Sequence, residues 1–200
     1  FTVNRGLSDY WLPMTGTASG VTFEHEDDAD SFYYNTATHS AIYASKTTAG
    51  LTYTETGIMP AVPTDSQISK AKASSVSQPQ AQHVPDSVDR LATAVAGGRS
   101  KGGEAALALA NELKESGWFS HGLAGDYPSS PGHGNYRIDQ LLAGTAMVGD
   151  SEQYASTMAL MARSLGLSSR VVLGFLPKNE EGDISEERTE RHGKSTTTEF

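Results

Sequence analysis

The chain has 200 residues, a formal net charge of −9 and no cysteine, and this length suits one domain with an accessory module or two small domains. An acidic chain without clusters of Lys or Arg argues against nucleic acid and anionic membrane surfaces as partners. No apolar run reaches the roughly 18–20 residues of a membrane span, no signal peptide is recognisable, and disulfides and thiolate metal sites are excluded. We expect the chain to be a piece excised from a longer polypeptide.

The first sixty residues are typical of antiparallel β-structure. Short runs rich in Tyr, Thr, Val and Phe are separated by Gly, Asn or Asp turns. The acidic cluster Glu24–Asp30 contains His25 but lacks the spacing and the glycine of a calcium loop. We interpret it as a solvated loop between strands rather than a divalent-cation site. The predicted strands are Phe1–Asn4, Val21–Phe23, Ser31–Asn35, Ser40–Ala44 and Leu51–Ile58.

A polar segment of low complexity divides the chain. Residues 73–85 are rich in Ser and Gln and contain Pro79 and Pro85, a composition that predicts a linker. The expected organisation is therefore a β-rich module over residues 1–72, a linker over 73–85 and a core domain over 86–200.

Helical patterns begin after the linker. The first predicted helix runs over Asp86–Ala96, with Asp86 as its N-cap and Gly97 at its end. The second runs over Gly103–Ser116, with the following glycine as C-cap. A loop over residues 122–134, rich in Gly, Pro and Ser, has the length that often borders a binding cleft. A short helix is predicted for Arg137–Leu142.

The most specific pattern lies between Gly149 and Phe175. A Gly-Asp turn precedes a predicted helix over residues 151–165, which Gly166 ends in a left-handed conformation. Residues 170–176 then predict a short apolar strand. Ser151 begins the helix, where unpaired N–H groups and the positive end of the dipole meet. The predicted buried stripe of this helix is Tyr154, Ala155, Met158, Ala159, Ala162 and Leu165.

Three pieces of this stretch, Gly149–Ala155, Met161–Gly166 and Arg170–Phe175, resemble the core motif of the bacterial transglutaminase-like superfamily. The family pattern is Gly-Asp/Glu-Cys-Glu-x-Tyr/Phe-Ala, then Arg-x-Leu-Gly-Ile-Pro-Ala, then Arg-Val-Val-x-Gly-Tyr/Phe. The resemblance implies a papain-type α+β fold. We expect an N-terminal antiparallel β module followed by the helical half and first strand of a transglutaminase-like, cysteine-proteinase-type core. Ser151 stands where the family has its nucleophilic Cys.

Three explanations for Ser151 remain open: an engineered substitution, a native residue in a member that no longer catalyses, or a working serine nucleophile. The third is disfavoured because a hydroxyl must hand its proton to a well-placed base, whereas a thiol in an ion pair is already ionised. The backbone N–H of Ser151 is also a candidate oxyanion donor.

The resemblance implies that a base His and an orienting Asp follow the nucleophile. The one His after Ser151 is His192, which no aromatic residue follows, so we expect the two partners beyond Phe200 or lost. His121 is expected to be solvated or structural rather than catalytic, and Trp118 to be a buried anchor rather than an oxyanion donor. Four further histidines show no metal-ligand spacing, so no metal or cofactor is predicted: His25, His39, His83 and His133.

The resemblance implies thiol acyl transfer or hydrolysis on peptide or glutamine amides in the parent protein, with this chain as an incomplete and inactive part. The alternative is a non-catalytic module that binds peptide or cell wall on the same scaffold. The expected partner is a protein or peptide, without nucleic acid and without a membrane segment in this chain. Residues 6–13 resemble the start of the extracytoplasmic region in membrane-anchored members, which implies the extracytoplasmic side of a bacterial membrane.

Overall fold

The computed structural model describes residues 1–59, 61–74, 76–99 and 102–174. Contacts between residues divide the chain into two compact units, one containing Phe1–Val62 and the other Pro63–Val172. Antiparallel strands make up the first unit and helices dominate the second, so the predicted α+β class is confirmed. The predicted domain bounds and linker stay a prediction.

The first unit consists of two small antiparallel sheets. One has the order β1-β4-β3 and the other pairs β2 with β5, with a register irregularity between Ala18 and Gly20. Predicted strand Phe1–Asn4 is wrong, because it makes only an isolated bridge at Thr2. The acidic cluster contains a 3-10 helix over Glu26–Ser31. The strands are β1 Trp11–Leu12, β2 Thr17–Phe23, β3 Phe32–Asn35, β4 Ser40–Tyr43 and β5 Tyr53–Ile58.

The core of this unit is mainly aromatic and aliphatic. Tyr53 is almost fully buried, stacks on Phe1 and donates its hydroxyl proton to the Pro13 carbonyl. Burial raises the pKa of the Tyr53 hydroxyl, with the nearby Glu55 carboxylate adding to the effect. The other buried apolar residues are Val3, Leu12, Ala41, Tyr43 and Leu51.

The second unit packs helices around a small parallel sheet. Strands β6 and β7 pair in parallel, with Trp118 opposite Val148 and Phe119 opposite Gly149. Buried side chains from α2, α3, α4 and α5 meet in one apolar cluster that includes Val88, Leu109 and Ile138. The elements are α1 Asp65–Lys70, α2 Asp86–Ala96, α3 Gly103–Ser116, β6 Gly117–Phe119, α4 Asn135–Ala143, β7 Met147–Gly149 and α5 Ser151–Ser164.

The bounds of α2 and α3 agree with the sequence, whereas two caps do not, and α4 extends beyond the predicted Arg137–Leu142 at both ends. Pro85, not Asp86, is the N-cap of α2. Gly97 ends this helix in the left-handed conformation, as predicted. Gly117 follows α3 with an extended backbone and opens β6 instead of forming a left-handed cap. A glycine is required there because a Cβ would lie 2.7 Å from the Tyr154 hydroxyl oxygen.

Helix α5 begins at Ser151 as predicted and ends one residue earlier than predicted, but its buried stripe is rotated from the predicted one. Gln153 and Thr157 are fully buried together with Met161, whereas Ala155 is exposed. Of the predicted stripe only Ala162 is fully buried; the others, apart from Ala155, are half-buried. The prediction was wrong because alanine and methionine fit either a core or a groove, and because a glutamine can be buried once its polar atoms are bonded.

The predicted strand at 170–176 is wrong over residues 170–174, and its last two residues lie outside the described part of the chain. Residues 170–174 form no strand, and the Leu173 side chain is 93 % exposed. The preceding Ser169 makes hydrogen bonds that involve side chains instead. Its N–H donates to Gln78 Oε1 at 3.0 Å, and its hydroxyl donates to the Ala159 carbonyl at 2.7 Å. A strand requires a partner backbone, and no described strand pairs with this segment.

Candidate active site

Ser151 lies at the junction between β7 and α5. Asp150 is the N-cap, and its carboxylate accepts hydrogen bonds from the N–H groups of Glu152 and Gln153. The Gln153 side chain accepts from the Asp150 N–H at 2.8 Å, which completes a capping box. Within the described residues, the Ser151 N–H and hydroxyl make no hydrogen bond, and the side chain is exposed. The helix therefore offers one unused N–H next to an accessible hydroxyl.

The parallel pairing of β6 with β7 brings Trp118–His121 beside this junction. The Ser120 N–H donates to the Gly149 carbonyl at 2.8 Å and extends the pairing by one residue. Trp118 is 57 % exposed and Phe119 60 %, so the prediction that Trp118 is a buried anchor is wrong. The short two-stranded sheet leaves one side of both rings open. Trp118 packs edge-on against Tyr127, with ring centroids 5.3 Å apart.

Two histidines lie next to the carboxylates that flank Ser151. His121 Nδ1 is 4.0 Å from Asp150 Oδ2, and the His121 ring is edge-on to Phe119. His133 Nδ1 is 2.5 Å from Glu152 Oε1. Both imidazoles are more than half exposed. His121 is thus solvated but close to the site, and sequence patterns did not place His133 there because it lies in an irregular loop.

A buried polar network lies beneath the site. Gln153 Nε2 donates to the Gly132 carbonyl at 2.9 Å and to the Ser130 carbonyl at 3.3 Å. Arg137 is buried. It donates from Nε to the Ser130 carbonyl at 2.8 Å and from Nη2 to the Val148 carbonyl at 2.7 Å. The same nitrogen donates to Ser129 Oγ at 2.9 Å and lies 3.4 Å from Gln153 Oε1. These two side chains connect α4, α5, β7 and the loop at 129–132.

Tyr154 joins the two strands to α5. Its hydroxyl donates to the Met147 carbonyl at 2.7 Å and lies 3.1 Å from the Trp118 carbonyl. Burial raises the pKa of this hydroxyl, although a backbone hydrogen bond at Trp118 and the Arg137 charge act in the opposite direction. The neutral phenol is therefore the form that stabilises the strand-to-helix junction.

Three other sequence candidates belong to the first unit or lie outside the described residues. His25 and His39 belong to the first unit, and His192 lies outside the described residues. In the part of the chain that the structure describes, no three His, Asp or Glu side chains are arranged to hold a metal ion.

An exposed hydroxyl and an unused N–H thus lie at the N-terminus of α5, close to two histidines and to exposed aromatic rings. Residues 89–198, more than half of the chain, match the transglutaminase-like superfamily. The chain therefore belongs to the transglutaminase-like superfamily, as its sequence motif predicted. Neither the curated proteins nor the solved structures gave a match. Among the described helices, none is both long enough and apolar enough to span a membrane.

Proposed function

We propose that residue 151 occupies the nucleophile position of a transglutaminase-like domain that acts on peptide or glutamine amides, and that with serine there the chain transfers no acyl group. The observation that carries this proposal is the free N–H and exposed side chain of Ser151 on the helix of the matched family region. A cysteine at this position would have its thiolate stabilised by the helix N-terminus, whereas the serine hydroxyl stays protonated near neutral pH.

The chemistry that fits this position is acyl transfer through a thioester. A thiolate at 151 would attack the amide carbon, and the developing oxyanion would accept a hydrogen bond from the free N–H of residue 151. The amide C–N bond then breaks, and ammonia or an amine leaves after taking up a proton.

The experiment compares the chain with its Ser151→Cys variant on a glutamine-donor peptide. We expect no ammonia release and no covalent adduct with Ser151, since losing one member of a catalytic triad costs orders of magnitude in rate. With an activated thioester donor, whose leaving group needs no protonation, the Ser151→Cys variant should gain the mass of a thioester-linked acyl group. Turnover of the peptide by the unmodified chain would contradict the proposal, and a Ser151→Ala variant is the matched control for background hydrolysis.

A second function, non-catalytic binding of a peptide or cell-wall ligand, is favoured by the open aromatic surface of Trp118, Phe119 and Tyr127. Such rings stack on apolar groups without covalent chemistry. Trp118→Ala should then abolish ligand retention while Ser151→Ala leaves it unchanged. A location on the extracytoplasmic side of the membrane, suggested by residues 6–13, is part of either proposal.

A further inference from the structure

The loop over residues 120–134 is bonded within itself and to the core. Ser120 is buried, and its hydroxyl donates to the Tyr127 carbonyl at 2.5 Å and accepts from the Gly122 N–H at 2.9 Å. Gly122 has a φ of +69°, and a Cβ there would overlap the Ser129 carbonyl oxygen. The two halves of the loop therefore lie in direct contact, which distinguishes this loop from an open surface connection.

The second half of the loop is fixed by side chains from beneath it. Its carbonyl groups at Ser130 and Gly132 accept hydrogen bonds from Gln153, and Ser130 also accepts from Arg137. Gln153 is fully buried, so each of these bonds replaces a lost bond to water. Near the end of the loop, the His133 imidazole is hydrogen-bonded to the Glu152 carboxylate. The bonds therefore connect the loop to Glu152 and Gln153, the two residues that follow Ser151.

We propose that Gln153 and Arg137 are positioning residues that hold the 129–133 segment as a fixed wall beside residue 151, and that this wall limits the size of the group that reaches it. The inference rests on the proposed function only in taking residue 151 as the reactive position. Gln153 combines two roles in one side chain. Its Oε1 accepts a hydrogen bond from the Asp150 N–H, and its Nε2 donates to the Gly132 carbonyl of the loop. A single residue therefore fixes the position of the wall relative to the start of α5.

The two roles can be separated by substitution. Gln153→Glu keeps an oxygen for the Asp150 N–H and for Arg137 but has no N–H for the loop carbonyl groups. Gln153→Met removes both roles at similar size. Thr157→Val is the matched control, because Thr157 is fully buried one turn further along α5 and has no hydrogen-bond partner within the described residues.

The first test measures backbone ¹⁵N order parameters for Gly132 and His133 in the full chain. We expect values near the rigid limit of about 0.85 in the unmodified protein and in Thr157→Val, falling below about 0.6 in Gln153→Glu and Gln153→Met. In the same two variants the imidazole resonance of His133 should move toward its position in Glu152→Gln. Unchanged order parameters and an unchanged His133 resonance in a folded Gln153→Glu protein would overturn the proposal. Should Gln153→Met fail to fold, Gln153→Glu carries the test alone.

The second test adds Ser151→Cys, which supplies the only thiol in the chain, and compares alkylation by iodoacetamide and by a bulky maleimide. Both rates depend equally on the fraction of thiol that is ionised, so this fraction cancels in their ratio. The ratio therefore measures steric access past the 129–133 wall and does not depend on how the helix cap affects ionisation. We expect the preference for the small reagent to fall about tenfold in Gln153→Glu. The lost hydrogen bonds contribute a free energy that corresponds to about one factor of ten. In Thr157→Val the preference should stay unchanged. A ratio that does not change in Gln153→Glu contradicts the wall. If the ratio changes as expected while the thiol of the Ser151→Cys variant does not react with the thioester donor, this inference stands and the proposed function is removed.

Discussion

The two units of this chain bury different kinds of side chain. In the described part of the first unit, Thr47 is the fully buried polar residue, and it bonds to the backbone of Asp9. Among its described residues the second unit buries five polar side chains, and three of them belong to the junction of β7 and α5 or bond to it: Ser120, Arg137 and Gln153. Burying polar groups costs free energy unless every atom is bonded. The difference indicates that the second unit uses buried hydrogen bonds to define one local geometry, at the start of α5.

The largest expected effect is the loss of Arg137. Arg137→Met leaves the Val148 carbonyl without its buried side-chain donor and the Ser130 carbonyl with Gln153 alone, and we expect it to lower the free energy of unfolding by about 3 kcal/mol. Thr47→Val in the first unit should cost about 1 kcal/mol. Unfolding in urea, followed by helical circular dichroism for the second unit and by Trp11 fluorescence in a Trp118→Phe background for the first, measures each. Equal costs would remove the contrast between the units.

Tyr154→Phe should have the next largest effect, about 1–2 kcal/mol at neutral pH, because its hydroxyl bonds to strand carbonyl groups. The folded protein raises the pKa of this hydroxyl, so its contribution is complete below the ordinary tyrosine pKa of about 10 and is lost as the pH rises through the higher folded value. Helical circular dichroism between pH 8 and 12 should show a smaller alkaline loss of stability in Tyr154→Phe than in the unmodified chain.

Tyr53 in the first unit supplies the control for that comparison. Its pKa is also raised by burial, so the alkaline loss of stability reported by Trp11 should persist in Tyr154→Phe. If the alkaline loss of stability disappears in Tyr154→Phe both by helical circular dichroism and by Trp11 fluorescence, the two units do not respond separately. The contrast between them would then fail.

Asp150→Ala tests the cap itself. It removes the acceptor for the N–H groups of Glu152 and Gln153, and N-cap substitutions of this kind cost about 1 kcal/mol. Asp150→Asn should recover most of the loss, since an amide oxygen also caps. The urea midpoint of helical circular dichroism is the measurement, and a cost no larger for alanine than for asparagine would show that the capping bonds contribute nothing.

The smallest expected effect is a gain. Thr157→Val replaces a fully buried hydroxyl without a partner among the described residues by a methyl group of the same shape, and it should stabilise the second unit by roughly 0.5 kcal/mol. A loss of stability would mean that the Thr157 hydroxyl has a partner, and the count of satisfied polar groups in this unit would need revision.

The sequence predicted those parts of the fold that depend on neighbouring residues alone. Helices α2 and α3 have their predicted bounds, and α5 has its predicted start, because caps, glycines and apolar periodicity act locally. The face of α5 was mispredicted because Gln153 is buried only through bonds to Gly132 and Arg137, distant residues that periodicity does not reveal. The strand predicted at 170–176 depended on a partner that the apolar pattern does not supply.

The candidate site shows the same division. The transglutaminase-like motif identified the family, because that signal is a contiguous run of residues. Its placing of Ser151 at the nucleophile position stays a prediction. The motif did not predict that Trp118 is exposed, since exposure follows from the edge of the β6–β7 pair. Nor did it place His133 beside Glu152, since that contact requires a loop fold that no local pattern encodes.

The central claim is that the N-terminus of α5 is arranged to activate a nucleophile at residue 151, and the pH dependence of thiol alkylation tests it most directly. Ser151→Cys is compared with Ser164→Cys, at the opposite end of the same helix. We predict that the thiol at 151 reacts with a pKa below the ordinary value of about 8.5, while the thiol at 164 does not. Identical profiles for the two variants, or a higher pKa at 151, would contradict the account.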